Sequence, residues 1–262
     1  MIYLLLGLAC AQTTPLQHTL PPPTEDVQMT TRLILNSTAD LADIQNRIRE
    51  SQSPQSFVIS FGTEPFQNAT IRLGDAFSTV RHTFEIQGEQ ALLQNSSLTI
   101  IGEKITVNGL RFLGSPTSGP PLQIQGVESI SLTKVFIGEL SSPQQKRGSQ
   151  PRGGALQIRA LKDGTSAVFD QVTLMDSPQP IQIVAKTGAR FGSVQIKSLR
   201  LHNVSSPAVV LGPVQTVHVE NVQQTTKSKW IAPSTLLTFI EGKAETVEAN
   251  EALVTKWKNG HW

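Results

Sequence analysis

Cysteine is almost absent from this chain: Cys10 is the only one in 262 residues. No intrachain disulfide can therefore staple the domain, whatever compartment it occupies. Charge is also scarce, with Asp, Glu, Lys and Arg together making up 16% and a formal net charge of +2. The basic residues are scattered along the chain, which excludes the concentrated cationic face that nucleic-acid binding requires. Long apolar runs are missing too. The longest stretch at the N-terminus, Ile2 to Leu8, is too short to cross a bilayer. No shift in composition divides the chain in two. What remains is a sequence rich in Gln, Ser, Thr and Asn with 38% hydrophobic residues, the balance of a polar-surfaced β protein.

The first residues, MIYLLLGLACAQTT, have the apolar run and small-residue exit of an export signal, with cleavage expected after Ala11. Cys10 offers a second reading as a lipid-anchored cysteine. Both readings place the protein outside the cytoplasm, secreted or at the cell surface. Residues 12–31 are polar and proline-rich, and a spacer is expected over 12–35. Four sequons, at Asn36, Asn68, Asn95 and Asn203, would be acceptors for N-glycans in a eukaryotic secretory pathway.

From Asn36 the pattern becomes regular. In NSTADLADIQNRIRES, Ser37 or Thr38 is suited to an N-cap and Leu41, Ile44 and Ile48 recur at helical spacing, which predicts a short amphipathic helix. The period then changes to alternation, and an internal repeat emerges. Segments beginning at Ile105, Ile130, Ala167, Val194 and Val217 share apolar residues at positions one, three, six and eight, the eighth being lost in the last. Each has a partner upstream: LTIIG from Leu98, LQIQG from Leu122, LQIRA from Leu156, IQIVA from Ile181 and VVLGP from Val209. A unit of this size cannot bury its own apolar side, so the units must stack. The expected fold is all-β: a right-handed, single-stranded parallel β-helix over 36–226, with an N-terminal capping helix and a C-terminal cap over 227–262. Val107, Leu132, Phe169, Ile196 and Val219 should then share one internal column. Gln123, Gln157 and Gln182 should form an external amide ladder, while Asn108, Thr133, Asp170, Lys197 and Glu220 form a second outer column. Val247, Val254 and Trp257 can line one side of a final helix, and Trp230 and Trp262 join the sealing of that end.

The helix STADLADIQNRIRES, then FVISFGTEPFQNATIRL and TFEIQGEQALLQNSSLTIIGEKITVNGLRFLG, resembles the cap and first coils of the pectin-lyase-like superfamily of right-handed parallel β-helix proteins. From ITVNGLRFLG onward the chain is most similar to polysaccharide lyases of the chondroitinase B and alginate lyase type. The resemblance implies β-elimination on a uronate polymer, with Ca²⁺ held by acidic and amide side chains and with a Lys and an Arg as base and acid. Lys186 follows IQIVA as the lyase lysine follows its strand, and Arg190 or Arg200 would face the carboxylate. The chain departs from that pattern at Gln182 and Val184, where carboxylates would be needed to hold Ca²⁺. Leu201, His202 and Asn203 stand in a different context from the Arg-His-Gly of that family. The seven Asp residues are scattered, which argues against the paired carboxyls of a hydrolase.

These observations favour an exported, non-catalytic module that binds a polysaccharide or another surface polymer. Its ligand would lie along a strand face bordered by the loop 141–154. Lys146, Arg147 and Arg152 in that loop, with Arg200 and His202, are the expected ligand-binding residues. A divergent lyase using Lys186 and Arg190 is the alternative, and Ca²⁺ enters only with it. Otherwise no metal or cofactor is expected. A passive adhesin stalk is the third reading. His202 and His218 have no second His or Cys at metal-ligand spacing.

Overall fold

The computed structural model describes residues 29–117, 119–140, 155–177, 181–204, 209–225, 237–239 and 246–249. Alternating burial drives the architecture: in β9 (Leu122–Thr133), Leu122, Ile124, Ile130 and Leu132 are buried while Gln123, Gln125, Ser129 and Ser131 face outward. Such a strand exposes its backbone edges until another strand pairs on each side, and the neighbouring repeats supply them. Every pairing between described strands is parallel, and the result is a solenoid of about seven turns.

Three strand positions recur in each turn. The first face runs through β4 (Thr70–Leu73), the first half of β7 (Ser97–Asn108), the first half of β9, β11 (Leu156–Ala160), β14 (Ile181–Ala185), β17 (Val209–Leu211) and β20 (Leu237–Phe239). The second comprises β1 (Thr30–Leu35), β2 (Ser56–Phe61), β5 (Thr83–Gln87), the second halves of β7 and β9, β12 (Thr165–Asp170), β15 (Phe191–Ile196), β18 (Val214–Val219) and β21 (Thr246–Ala249). The third is a separate seven-stranded sheet: β3 (Phe66–Gln67), β6 (Leu92–Gln94), β8 (Arg111–Leu113), β10 (Phe136–Gly138), β13 (Val172–Ser177), β16 (Leu199–Val204) and β19 (Val222–Thr225).

The register matches the sequence repeat. Val107 pairs with Leu132, Leu132 with Phe169, Phe169 with Ile196 and Ile196 with Val219, all at most 3% exposed. The upstream partners align in the same way, from Leu98 through Leu122, Leu156 and Ile181 to Val209. On the third face Phe112, Ile137, Leu174 and Leu201 stack, and the column ends at Gln224, the lost eighth position. Each fully buried Leu, Ile or Phe contributes roughly 1.5–3 kcal/mol. The amide ladder is present: Gln123 Nε2 donates to Gln157 Oε1 at 2.8 Å, and Gln157 Nε2 to Gln182 Oε1 at 3.3 Å. Asn108, Thr133 and Asp170 are register partners, and Lys197 N–H and Glu220 N–H continue the column on Phe169 O and Ile196 O.

Helix α1 (Asp40–Glu50) packs against β1 and β4, with Ile44 and Ile48 buried. Its start differs from the expected Ser37 or Thr38 cap. Ala39 precedes the helix, and the Asp40 carboxylate reaches back to the N–H groups of Asn36 and Ser37, each at 2.9 Å. The Ser37 hydroxyl is turned to the same carboxylate, donating to Asp40 Oδ2 at 3.4 Å, and so does not cap the first turn.

Two boundaries move. The solenoid begins inside the expected spacer, at β1, whose Leu33 and Leu35 are buried against the next coil. It also continues past 226, because β20 and β21 pair with β17 and β18. Val247 therefore lies in a strand rather than in the expected helix: parallel pairing onto β18 supplies its backbone partners. Val254, Trp257, Trp230 and Trp262 lie outside the described residues, as do the expected export signal and Cys10.

The end of the third strand has one conformational signature. Asn68, Asn95, Gly114, Glu139, Asp176 and Asn203 all have φ between +47° and +74°. Asn and Gly tolerate this left-handed region best. Three of the four sequon asparagines thus coincide with positions that the turn itself selects. Asn203 Nδ2 also donates to Asp176 Oδ1 at 2.7 Å, tying consecutive corners.

Candidate functional site

Outward positions of a parallel solenoid stack about 4.8 Å apart, so functional groups can be assembled only by register or by turns. On the third face one outer column reads Arg111, Phe136, Thr173, Arg200 and Gln223. The guanidinium of Arg111 lies over the Phe136 ring, its carbon 5.5 Å from the centroid. Arg111 and Arg200 are thus kept apart by two coils, as the sequence repeat implies. Beside Phe136 is a shallow depression of about 160 Å³ lined by Lys134, Val135, Phe136, Gln171, Thr173 and Arg200.

Lys134 and Gln171 were not among the expected site residues. Both occupy the turn before the third strand with φ of +54°. That conformation projects their side chains beside the column. The only sequence signal is their shared position one residue before the apolar pair Val135/Ile137 or Val172/Leu174. His202 lies on the neighbouring outer column, in register with Met175, and is half-buried. Arg200 is exposed. Lys146, Arg147 and Arg152 lie outside the described residues, in the chain segment that links β10 to β11.

The lyase pair sits at a different corner. Lys186 is exposed in the turn after β14, where its N–H donates to Ala160 O at 2.9 Å and its own carbonyl accepts from Ala189 N–H at 2.8 Å. Arg190 is held across three coils. Its N–H donates to Asp163 Oδ1 at 3.1 Å, and its Nε lies 3.6 Å from the same oxygen. With the Gln215 amide oriented so that both groups are satisfied, Gln215 Oε1 accepts from Arg190 Nε at 3.2 Å and Nη2 at 2.9 Å. Arg190 is therefore engaged as a strut between turns through its backbone N–H, Nε and Nη2. Gln182, expected where a Ca²⁺ carboxylate would stand, is committed to the amide ladder. Among the described residues no group of three His, Cys, Asp or Glu is placed to hold a metal ion.

The second face carries a polar strip: Ser129, Ser166, Ser193 and Thr216 share one outer column. His218 and Glu220 stand at its far end, with Nε2 3.4 Å from Oε1. No described helix is long and apolar enough to cross a membrane. Comparison with protein-family models, curated proteins and solved structures gives no match.

Proposed function

We propose that this chain is an exported, non-catalytic β-solenoid module that binds a weakly anionic polysaccharide or a comparable surface polymer, in the structural style of the pectin-lyase-like superfamily. The third face supports this reading: Arg111 and Arg200 in the column and Lys134 in the adjoining turn are exposed cations spaced along an aromatic and a hydroxyl side chain, beside a shallow groove. A polymer running along the coil axis meets one such group per turn. Three dispersed cations supply modest, salt-sensitive attraction, and the Phe136 face supplies contact for a sugar ring. Lys146, Arg147 and Arg152 follow directly from β10 in the chain and would add charge at the border. His202 would contribute from the adjacent column. The reading places the module outside the cytoplasm, secreted or lipid-anchored through Cys10.

The lyase alternative rests on Lys186 and on Arg190, whose side chain is also engaged with Asp163 and Gln215. Affinity gel electrophoresis of the full chain on alginate, pectate and chondroitin sulfate tests the binding reading. Retention on at least one polymer is expected, weakening with salt and dropping in the double variant Arg111→Ala, Arg200→Ala. Ultraviolet absorbance of an unsaturated product that disappears in Lys186→Ala would establish the lyase instead. No retention on any polymer would leave the stalk.

A further inference from the structure

A cavity of about 550 Å³ lies away from the third face, at the N-terminal end. Four pieces of chain form it: α1 with Ser51 just after it, the strand β4, the loop 74–82 that leads into β5, and β7 through Ile101. Its floor is buried, made by Ile48, Ile101 and the imidazole of His82, which are at most 6% exposed. Its rim is polar and basic, with Arg49 from the helix, Arg72 from the strand and Asp75 from the loop. Phe77 belongs to the same rim and is 92% exposed, the most exposed large hydrophobic side chain described.

That combination is unusual for a surface that serves packing alone. A phenyl ring left in water beside a cavity exposes apolar area that the fold could have buried, and the loop holds it there by specific bonds. Phe77 N–H donates to Asp75 Oδ1 at 3.0 Å, and the Arg81 guanidinium donates to the carbonyls of Asp75 and Ala76. Opposite, Gln45 Nε2 donates to Arg72 O at 3.0 Å, fastening the helix to the strand across the cleft. Arg72 Nη2 stands 3.9 Å from Asp75 Oδ1, loose enough for a ligand to compete. The volume suits one or two small rings.

We infer that this cleft is a binding site for a single uronic-acid residue, such as the end of a uronate chain. The chemistry on the rim selects that class. Arg49 and Arg72 offer forked donors for a carboxylate, Asp75 accepts from ring hydroxyls, and the Phe77 face takes the apolar side of a pyranose. A neutral sugar would leave the two cations unanswered, and an inorganic anion would leave Phe77 without a role. The inference stands apart from the polymer reading, because no residue of the cleft belongs to the third face.

Titration of the full chain with free glucuronate and galacturonate, followed by calorimetry, tests it. Saturable one-site binding is expected, with glucose and inorganic phosphate each at least about tenfold weaker. Phe77→Ala should weaken uronate about tenfold, and the double variant Arg49→Gln, Arg72→Gln should abolish the preference over glucose. Both changes are at exposed side chains, and circular dichroism of each variant should match the parent. Arg111→Ala with Arg200→Ala should leave uronate binding intact, which separates this site from the third face. Absence of uronate binding, benzoate binding more tightly than uronate, or uronate binding unchanged in Phe77→Ala overturns the inference.

Discussion

The guanidinium carbon of Arg111 lies 5.5 Å from the centre of the Phe136 ring on the following turn. This contact joins the only aromatic side chain of the outer column to the cation before it, beside the groove on the third face. At an exposed position such a contact is worth about 0.5–1 kcal/mol.

Replacing that ring should therefore affect recognition more than folding. Phe136→Ala is expected to lower urea stability by no more than about 1 kcal/mol, since the ring is only half-buried. Retention on the polymer that the parent binds should fall clearly in the same variant, as read by affinity electrophoresis. A Phe136→Leu variant keeps apolar area but loses the π face, so it should recover stability and not retention.

Inside the solenoid the magnitudes are larger. Phe169 pairs with Leu132 on one side and Ile196 on the other and is 2% exposed. Phe169→Ala should cost about 3–5 kcal/mol in urea denaturation, because its neighbours belong to rigid strands that cannot collapse into the space.

The left-handed corners offer a controlled comparison. Gly114 has φ of +74°, and a Cβ there would run into Asn95 Oδ1 on the preceding turn. Gly119 has φ of +72° with nothing within 4 Å of an added Cβ. Gly119→Ala should cost only the backbone penalty, about 1–2 kcal/mol, and Gly114→Ala should cost more by the displaced asparagine. Thermal unfolding of the two variants, run side by side, measures the difference.

His82 should make stability depend on pH. Burial lowers its pKa below 6.5, opposed by a hydrogen bond to the backbone of Ile48, and its Nδ1 accepts from Gln55 N–H at 3.3 Å. Phe57 packs edge-on to the imidazole, with centroids 5.2 Å apart. The folded chain therefore binds the proton less readily than the unfolded one. Stability from this group is complete above pH 6.5 and declines as pH falls through that value toward the lower folded pKa, by at most about 1.4 kcal/mol per pH unit. Urea midpoints measured from pH 8 to pH 5 should show that decline, and His82→Phe should reduce it.

Much of the architecture was legible because alternation has a period of two and the repeat fixes where each period restarts. Leu132 and Phe169 could be paired from the sequence alone, since a one-residue slip would turn both toward water. The same logic located the Gln123, Gln157 and Gln182 ladder. Boundaries were less legible. The alternation of strand β1, TTRLIL, is short and follows a proline-rich run, so it does not stand out from a spacer, while Val247 fits a helical stripe and a strand equally well. The strut between Asp163, Arg190 and Gln215 was invisible, because it joins three turns through side chains whose reach no spacing rule encodes.

The sequence by itself determined which side chains point into the solenoid and in what order they stack, because burying apolar area in repeated units leaves one self-consistent register. Only the tertiary structure decided which outward groups meet. Arg49, Arg72 and Phe77 come from a helix, a strand and a loop, and Arg111 finds Phe136 twenty-five residues along the chain. Those encounters depend on the path of the turns and the seating of α1, which many local sequences satisfy equally well and which packing alone selects.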